Sequence, residues 1–164
     1  MTPLHFAPIG DADAEPLVEV FNHYVRSGEA AFLDEPVSIA FFERMRPMLE
    51  AYPSCAVHDA GGTFIGFGLL RPHSPLPAFR LTAELTLFIS PGWTGRGIGS
   101  ELLSRLEVAG RERGKHHLLA PVSSRNEGSL RFHEQHGFVE CGRFRGVGVR
   151  HGRPFDLVWL QKDL

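Results

Sequence analysis

Apolar residues along the chain recur with two periods, and the places where one gives way to the other mark the elements. An apolar run over residues 4–9 predicts a first strand. Asp11 or Asp13 follows in a cap position, and Leu17, Val18, Val20, Phe21 and Val25 then recur at helical spacing. A second helix is predicted over residues 38–51 by Ile39, Phe41, Phe42, Met45 and Leu49. Residues 55–58 and 63–70 read as the arms of a hairpin turned by Asp59-Ala60-Gly61-Gly62. A proline-rich loop over 71–77 leads to a strand over 80–89, which passes through glycines into a helix ending near residue 113. A short strand over 118–122, a helix over 126–136 and closing strands over 138–149 and 153–160 complete the order. Such alternation predicts an α/β (α+β) chain, a mixed and twisted central sheet with helices on both faces. With no repeat, low-complexity tract or linker-like boundary, residues 1–164 are expected to form a single domain.

Inside the strand over 80–89, alternation assigns Leu81, Ala83, Leu85, Leu87 and Ile89 to one face and Thr82, Glu84, Thr86 and Phe88 to the other. Glu84 is the ionisable side chain of the strand interior, where a carboxylate is costly unless it is paired or solvated. Two readings stand. Glu84 faces solvent on a half-exposed sheet, or it lies in a cleft and takes a proton from a reactant.

Charge and composition narrow the partners. The formal net charge of −2, with basic residues mixed among acidic ones, offers no broad basic face for nucleic acid or an anionic membrane. A small-molecule acceptor is favoured over a macromolecule. Cys55 and Cys141 are far apart and lack paired metal spacing, so both are expected to be buried free thiols. Adjacent His116 and His117 cannot share a strand face, and no metal is expected. The N-terminus has no targeting pattern and no stretch approaches a membrane span, so a cytoplasmic location is expected.

The chemistry concentrates where the strand over 80–89 turns through Gly92-Trp93-Thr94-Gly95-Arg96-Gly97-Ile98-Gly99 into a helix. Such a turn gathers unpaired N–H groups at the positive end of a helix dipole, an arrangement suited to phosphate. A Walker loop is excluded, because Ile98 and Gly99 follow Gly97 where Lys and Ser or Thr are required. The dinucleotide fingerprint is excluded too, since Ser100 replaces its third glycine and no acid stands near His116 and His117. A turn that binds nothing is the plain alternative. Thr94 to Gly99 resembles the pyrophosphate loop Q/R-x-x-G-x-G/A of the GNAT acetyltransferase superfamily, with Gly97 and Gly99 matching and Thr94 departing.

A second motif follows in the order that superfamily has. Asn126-Glu127-Gly128-Ser129-Leu130-Arg131-Phe132-His133-Glu134-Gln135-His136-Gly137-Phe138 resembles its N-x-x-A/S-x-x-x-Y-x-x-x-G-F, with His133 in the tyrosine place. Locally it reads as a helix started by Asn126 and stopped by Gly137, with Leu130, Phe132 or His133 inward. Asn22-His23-Tyr24-Val25, Phe32-Leu33-Asp34-Glu35-Pro36, Ala78-Phe79-Arg80-Leu81-Thr82-Ala83-Glu84 and Gly152-Arg153-Pro154-Phe155-Asp156 resemble the phosphinothricin and methionine sulfoximine acetyltransferase branch. There a glutamate and a histidine occupy the places of Glu84 and His133. The branch's Arg-x-Ala-Tyr is Leu76-Pro77-Ala78-Phe79 here, so an arginine able to hold an anionic acceptor is missing.

The resemblance implies N-acetyl transfer from acetyl-CoA to the primary amine of a small amino-acid-like acceptor, directly in a ternary complex. Thr94, Gly95, Arg96, Gly97, Ile98, Gly99 and Ser100 would hold the pyrophosphate, with Asn126 and Ser129 beside the cofactor and the pantetheine arm paired near Phe88 and Ile89. Glu84, directly or through water, would deprotonate the amine, and His133 would protonate the departing thiolate or simply fill a gap. His23, Phe32, Phe79 and Arg80 would border the acceptor, the plain alternatives being an exposed helix residue for His23 and core packing for Phe32 and Phe79. Related enzymes are often dimers, so a homodimer is an implied partner. A CoA-binding regulatory domain without turnover is the other functional class, with Thr94 as its support.

Overall fold

The computed structural model describes residues 3–164. The chain runs through β1 (Leu4–Ala7), α1 (Ala14–Arg26), α2 (Ala40–Ala51), β2 (Ser54–Asp59), β3 (Phe64–Pro72) and β4 (Thr82–Ile89). It continues through α3 (Ile98–Glu112), β5 (His117–Ser123), α4 (Glu127–Gln135), β6 (Val139–Arg150) and β7 (Arg153–Asp163). The strands form a seven-stranded sheet in the order β1-β2-β3-β4-β5-β7-β6. β4 and β5 pair in parallel and the other neighbours antiparallel, which is the expected mixed sheet.

Each face buries its own core. On one, Leu102, Leu103 and Leu106 of α3 pack against Ile65, Leu85, Leu118, Val158 and Leu160. On the other, Leu17 and Val25 of α1 and Phe42 of α2 pack against Phe67, Leu69 and Phe88. Each such side chain contributes about 1.5–3 kcal/mol on leaving water. The alternation read in β4 therefore holds: Ala83 and Leu85 belong to the α3 face, and Phe88 and Glu84 to the α1 face.

Local differences from the sequence reading have physical causes. β1 stops at Ala7 because Pro8 has no N–H to extend the ladder. Asp13 precedes α1, but its side chain does not cap the helix. One carboxylate oxygen accepts the Gly10 N–H at 2.8 Å and the other meets His58 Nε2 at 2.8 Å, tying α1 to β2. α2 begins at Ala40, after a turn in which Phe41 N–H donates to Ser38 O. Cys55 is buried as expected, whereas Cys141 is exposed on the edge strand β6. Asn126 does cap α4, its Oδ1 accepting the Ser129 N–H at 3.1 Å, and Gly137 ends that helix at φ 85°. In the β6–β7 hairpin Gly148 faces Phe155, and a Cβ there would sit 2.1 Å from the ring.

Candidate active site

The parallel ladder is short. β4 and β5 pair only at Thr82, Ala83 and Glu84, opposite His117, Leu118 and Leu119. Beyond these residues β4 continues beside β3 and β5 beside β7, leaving a gap between them. Leu81 O accepts N–H groups of His116 and His117, whereas Ser90 N–H donates to Ile65 O of β3. Alternation therefore turns the main-chain groups of Leu85, Leu87 and Ile89 into the gap, while those of Phe88 pair with β3. The Tyr24 hydroxyl donates to Ile89 O at 2.5 Å. Burial pushes that phenol above its usual range, so it keeps its proton.

The glycine loop lies just past this end of β4. Gly95 and Gly97 take φ of 72° and 80°, a region in which a side chain strains the backbone. Gly97 is the cap of α3 and brings no side chain to the first-turn amides. The N–H groups of Ile98, Gly99 and Ser100 have no intrahelical acceptor, the ladder starting at Glu101 N–H to Gly97 O. Three outward amides at the positive end of a helix dipole, uncapped, match an anionic diphosphate. Thr94 turns its hydroxyl back to Pro91 O at 3.0 Å, and the Arg96 guanidinium lies over the Trp93 ring, 4.8 Å from its centre. Ser100 Oγ is engaged by His136 Nε2 at 2.8 Å.

α4 leans on this loop, since a Cβ on Gly99 would come within 3.2 Å of the Phe132 ring. One turn away His133 is buried, with Nδ1 2.7 Å from Ser129 O and its ring edge-on to Phe132 and Phe138. A carbonyl only accepts, so Nδ1 carries the proton. Desolvation lowers the His133 pKa, against the opposing effect of the Ser129 carbonyl and with help from nearby His136. The lowered pKa favours the neutral ring with Nε2 as an acceptor, which supports the gap-filling reading of His133 over proton donation to the thiolate.

Glu84 is buried on the α1 face of the sheet, which decides against the solvent-facing reading. Its Oε2 meets the Arg71 guanidinium at 2.5 Å, the two residues being cross-strand partners on β4 and β3. Its Oε1 meets His73 Nδ1 at 2.9 Å. The His73 ring sits edge-on between Phe79, 5.6 Å away, and Trp159 of β7, 5.8 Å away. Arg71, His73 and Trp159 were not picked out in the sequence. Cross-strand register and the fold of the proline loop bring them together, and no local period signals either.

The remaining predicted residues lie around this centre unevenly. Phe79 is part of it. Phe32 is 47% exposed and stacks on Phe155 at 5.5 Å. Arg80 is exposed, its guanidinium donating to Pro77 O. His23 is exposed and lies within 3.3 Å of Ser27 Oγ on the outer side of α1; its neighbour Tyr24 reaches the gap instead. The loop bearing Phe32 is held by Arg150, buried at the hairpin tip, which donates to the carbonyls of Tyr24, Val25, Gly28 and Leu33.

Known proteins share this fold. The model of the acetyltransferase (GNAT) family matches residues 17–138. A phosphinothricin N-acetyltransferase of Streptomyces coelicolor is 32% identical over 161 residues, covering 94% of this chain and 92% of that protein. An L-methionine sulfoximine/L-methionine sulfone acetyltransferase of Salmonella typhimurium is 32% identical over 157 residues, 93% of this chain and 90% of the other. The crystal structure of a GNAT superfamily phosphinothricin acetyltransferase from Sinorhizobium meliloti in complex with AcCoA superposes with a TM-score of 0.94. It is 27% identical, and the match covers 100% of this chain and 89% of that one.

Proposed function

The chain belongs to the GNAT acetyltransferase family, and from that premise we propose which of its groups carry out the transfer. It is an acetyl-CoA-dependent N-acyltransferase, and its acceptor is a small amino-acid-like molecule with a primary amine. The observation that carries this reading is the uncapped start of α3, with left-handed Gly95 and Gly97, set beside the unpaired edge of β4.

In this reading the amides of Ile98, Gly99 and Ser100 bind the diphosphate of acetyl-CoA, which supplies the activated acyl group. Leu87 and Ile89 turn main-chain groups into the gap and pair with the pantetheine arm there. A gap-facing N–H donates to the acyl oxygen as negative charge builds on it, the kind of preorganised donor worth about 10²–10³ in rate elsewhere. The ammonium of the acceptor loses its first proton toward the Glu84 centre. The amine attacks, and the new amide nitrogen releases a second proton as the C–S bond breaks. That proton suffices for the departing thiolate, so His133 need not supply one. Phe32, Phe79 and Trp159 form the apolar walls of the acceptor site.

Arg71 is the cation beside Glu84 and is bound to it, so it does not replace the missing loop arginine for an anionic acceptor. Thiol release from acetyl-CoA, followed across a panel of amino-acid-like amines with methionine sulfoximine and phosphinothricin, tests the assignment. Acceptor-dependent release is expected, weaker for phosphinothricin than for less anionic amines. Equal efficiency on both would contradict the argument from the arginine. Thr94, whose side chain turns away to Pro91 O, favours the second reading of a CoA-binding domain without turnover. Tight CoA binding with no release from any amine would establish that one instead.

A further inference from the structure

Both oxygens of Glu84 are occupied, one by a guanidinium at 2.5 Å and the other by an imidazole N–H at 2.9 Å, and the side chain is only 9% exposed. An ammonium approaching that carboxylate directly would meet the Arg71 cation and little open surface. His73 differs. Its Nδ1–H is spent on Glu84, its Nε2 has no hydrogen-bond partner among the described residues, and the side chain keeps 29% exposure. The ring is also fixed, edge-on to Phe79 on one side and to Trp159 on the other.

We propose that His73, held by Glu84, is the group that takes the proton from the acceptor's ammonium. This deepens the acyl-transfer reading and rests on it. One N–H bond of the ammonium breaks with its electron pair left on nitrogen, and the proton bonds to His73 Nε2. The imidazolium so formed faces the Glu84 carboxylate, and the proton passes to solvent at the exposed edge of the ring. Glu84 is then the positioning residue: it fixes the tautomer and the orientation of the imidazole, as second carboxylates do in other histidine dyads. Arg71 in turn keeps Glu84 in place. The charged groups facing His73 are Glu84 from β4 and, behind it, Arg71 from β3, while β7 and the loop present uncharged Trp159 and Phe79.

The test uses the full chain and the best amine of the panel. In His73→Asn the amide can still donate to Glu84 but offers no base. For this variant kcat/KM for the amine should fall about 10²-fold, with unchanged acetyl-CoA affinity by calorimetry and no imidazole-like acidic limb in the pH profile. In His73→Ala, added imidazole should restore activity in a saturable way, a gain that a merely structural histidine would not give. Glu84→Gln should lower kcat but keep the acidic limb. If wild type turns over and His73→Asn retains both rate and acidic limb, while Glu84→Gln abolishes the limb, the proposal is overturned and Glu84 is the direct base. If wild type itself releases no thiol, the acyl-transfer reading fails rather than this one.

Discussion

Replacing Arg150 with Met should open the acceptor side of the molecule without touching the cofactor loop. The guanidinium donates four hydrogen bonds of 2.6–3.0 Å to Tyr24, Val25, Gly28 and Leu33 carbonyls while only 3% of the residue is exposed. Charge-assisted bonds stabilise by about 1.5–3 kcal/mol each, but a sum over four overstates the loss. Gly28 and Leu33 lie at exposed positions and regain water when the side chain is removed. Tyr24 and Val25 close the last turn of α1, with Val25 1% exposed, so their carbonyls stay stranded. Two stranded acceptors at about 1–3 kcal/mol each give an expected loss of about 2–6 kcal/mol. Urea unfolding of Arg150→Met against wild type measures it, with the m-value as the check on two-state behaviour. KM for the amine should rise, since the loop bearing Phe32 loses its anchor, while acetyl-CoA affinity holds. A loss under about 1 kcal/mol would refute the reasoning, because it would mean that these carbonyls find other partners.

Further outcomes follow from the same geometry. Gly97→Val forces a branched side chain into φ 80° and should weaken CoA binding at least about tenfold, read by calorimetry. Asn126→Ala removes the cap on the Ser129 N–H and should destabilise by about 1 kcal/mol, seen as a lower Tm. His133 is held neutral by burial, so the unfolded chain binds its proton more readily; stability should be full above pH about 6.5 and fall as pH drops through the lowered folded value. His133→Phe should flatten that part of the Tm-against-pH curve. A slope unchanged between pH 7.5 and 5 would assign it to other groups.

What could be read from the chain was local. The left-handed glycines before α3, the alternation that isolates Glu84 and the Asn126 cap each depend on residues within one turn or strand, and period and residue type report them. Tyr24 was legible and passed over. Leu17, Phe21 and Tyr24 share one stripe of α1, while His23 falls with Glu19 and Arg26 on the polar side. Arg71 and His73 belong to a different case. Their meeting with Glu84 depends on the β3–β4 register and on how a proline loop closes, both set by the folded sheet. Arg150 looks like a surface charge at a hairpin tip, and its partners stand more than 100 residues away. For His133, burial and the Ser129 carbonyl favour the gap-filling reading over the donor role, and sequence spacing carries no measure of burial.

Calorimetric titration of the wild-type chain with CoA, beside pantetheine as the same arm without its diphosphate, bears most directly on the amides that open α3. Clear heat with CoA and far weaker binding of pantetheine is the expected result. Equal affinities, or no heat with CoA, would contradict it.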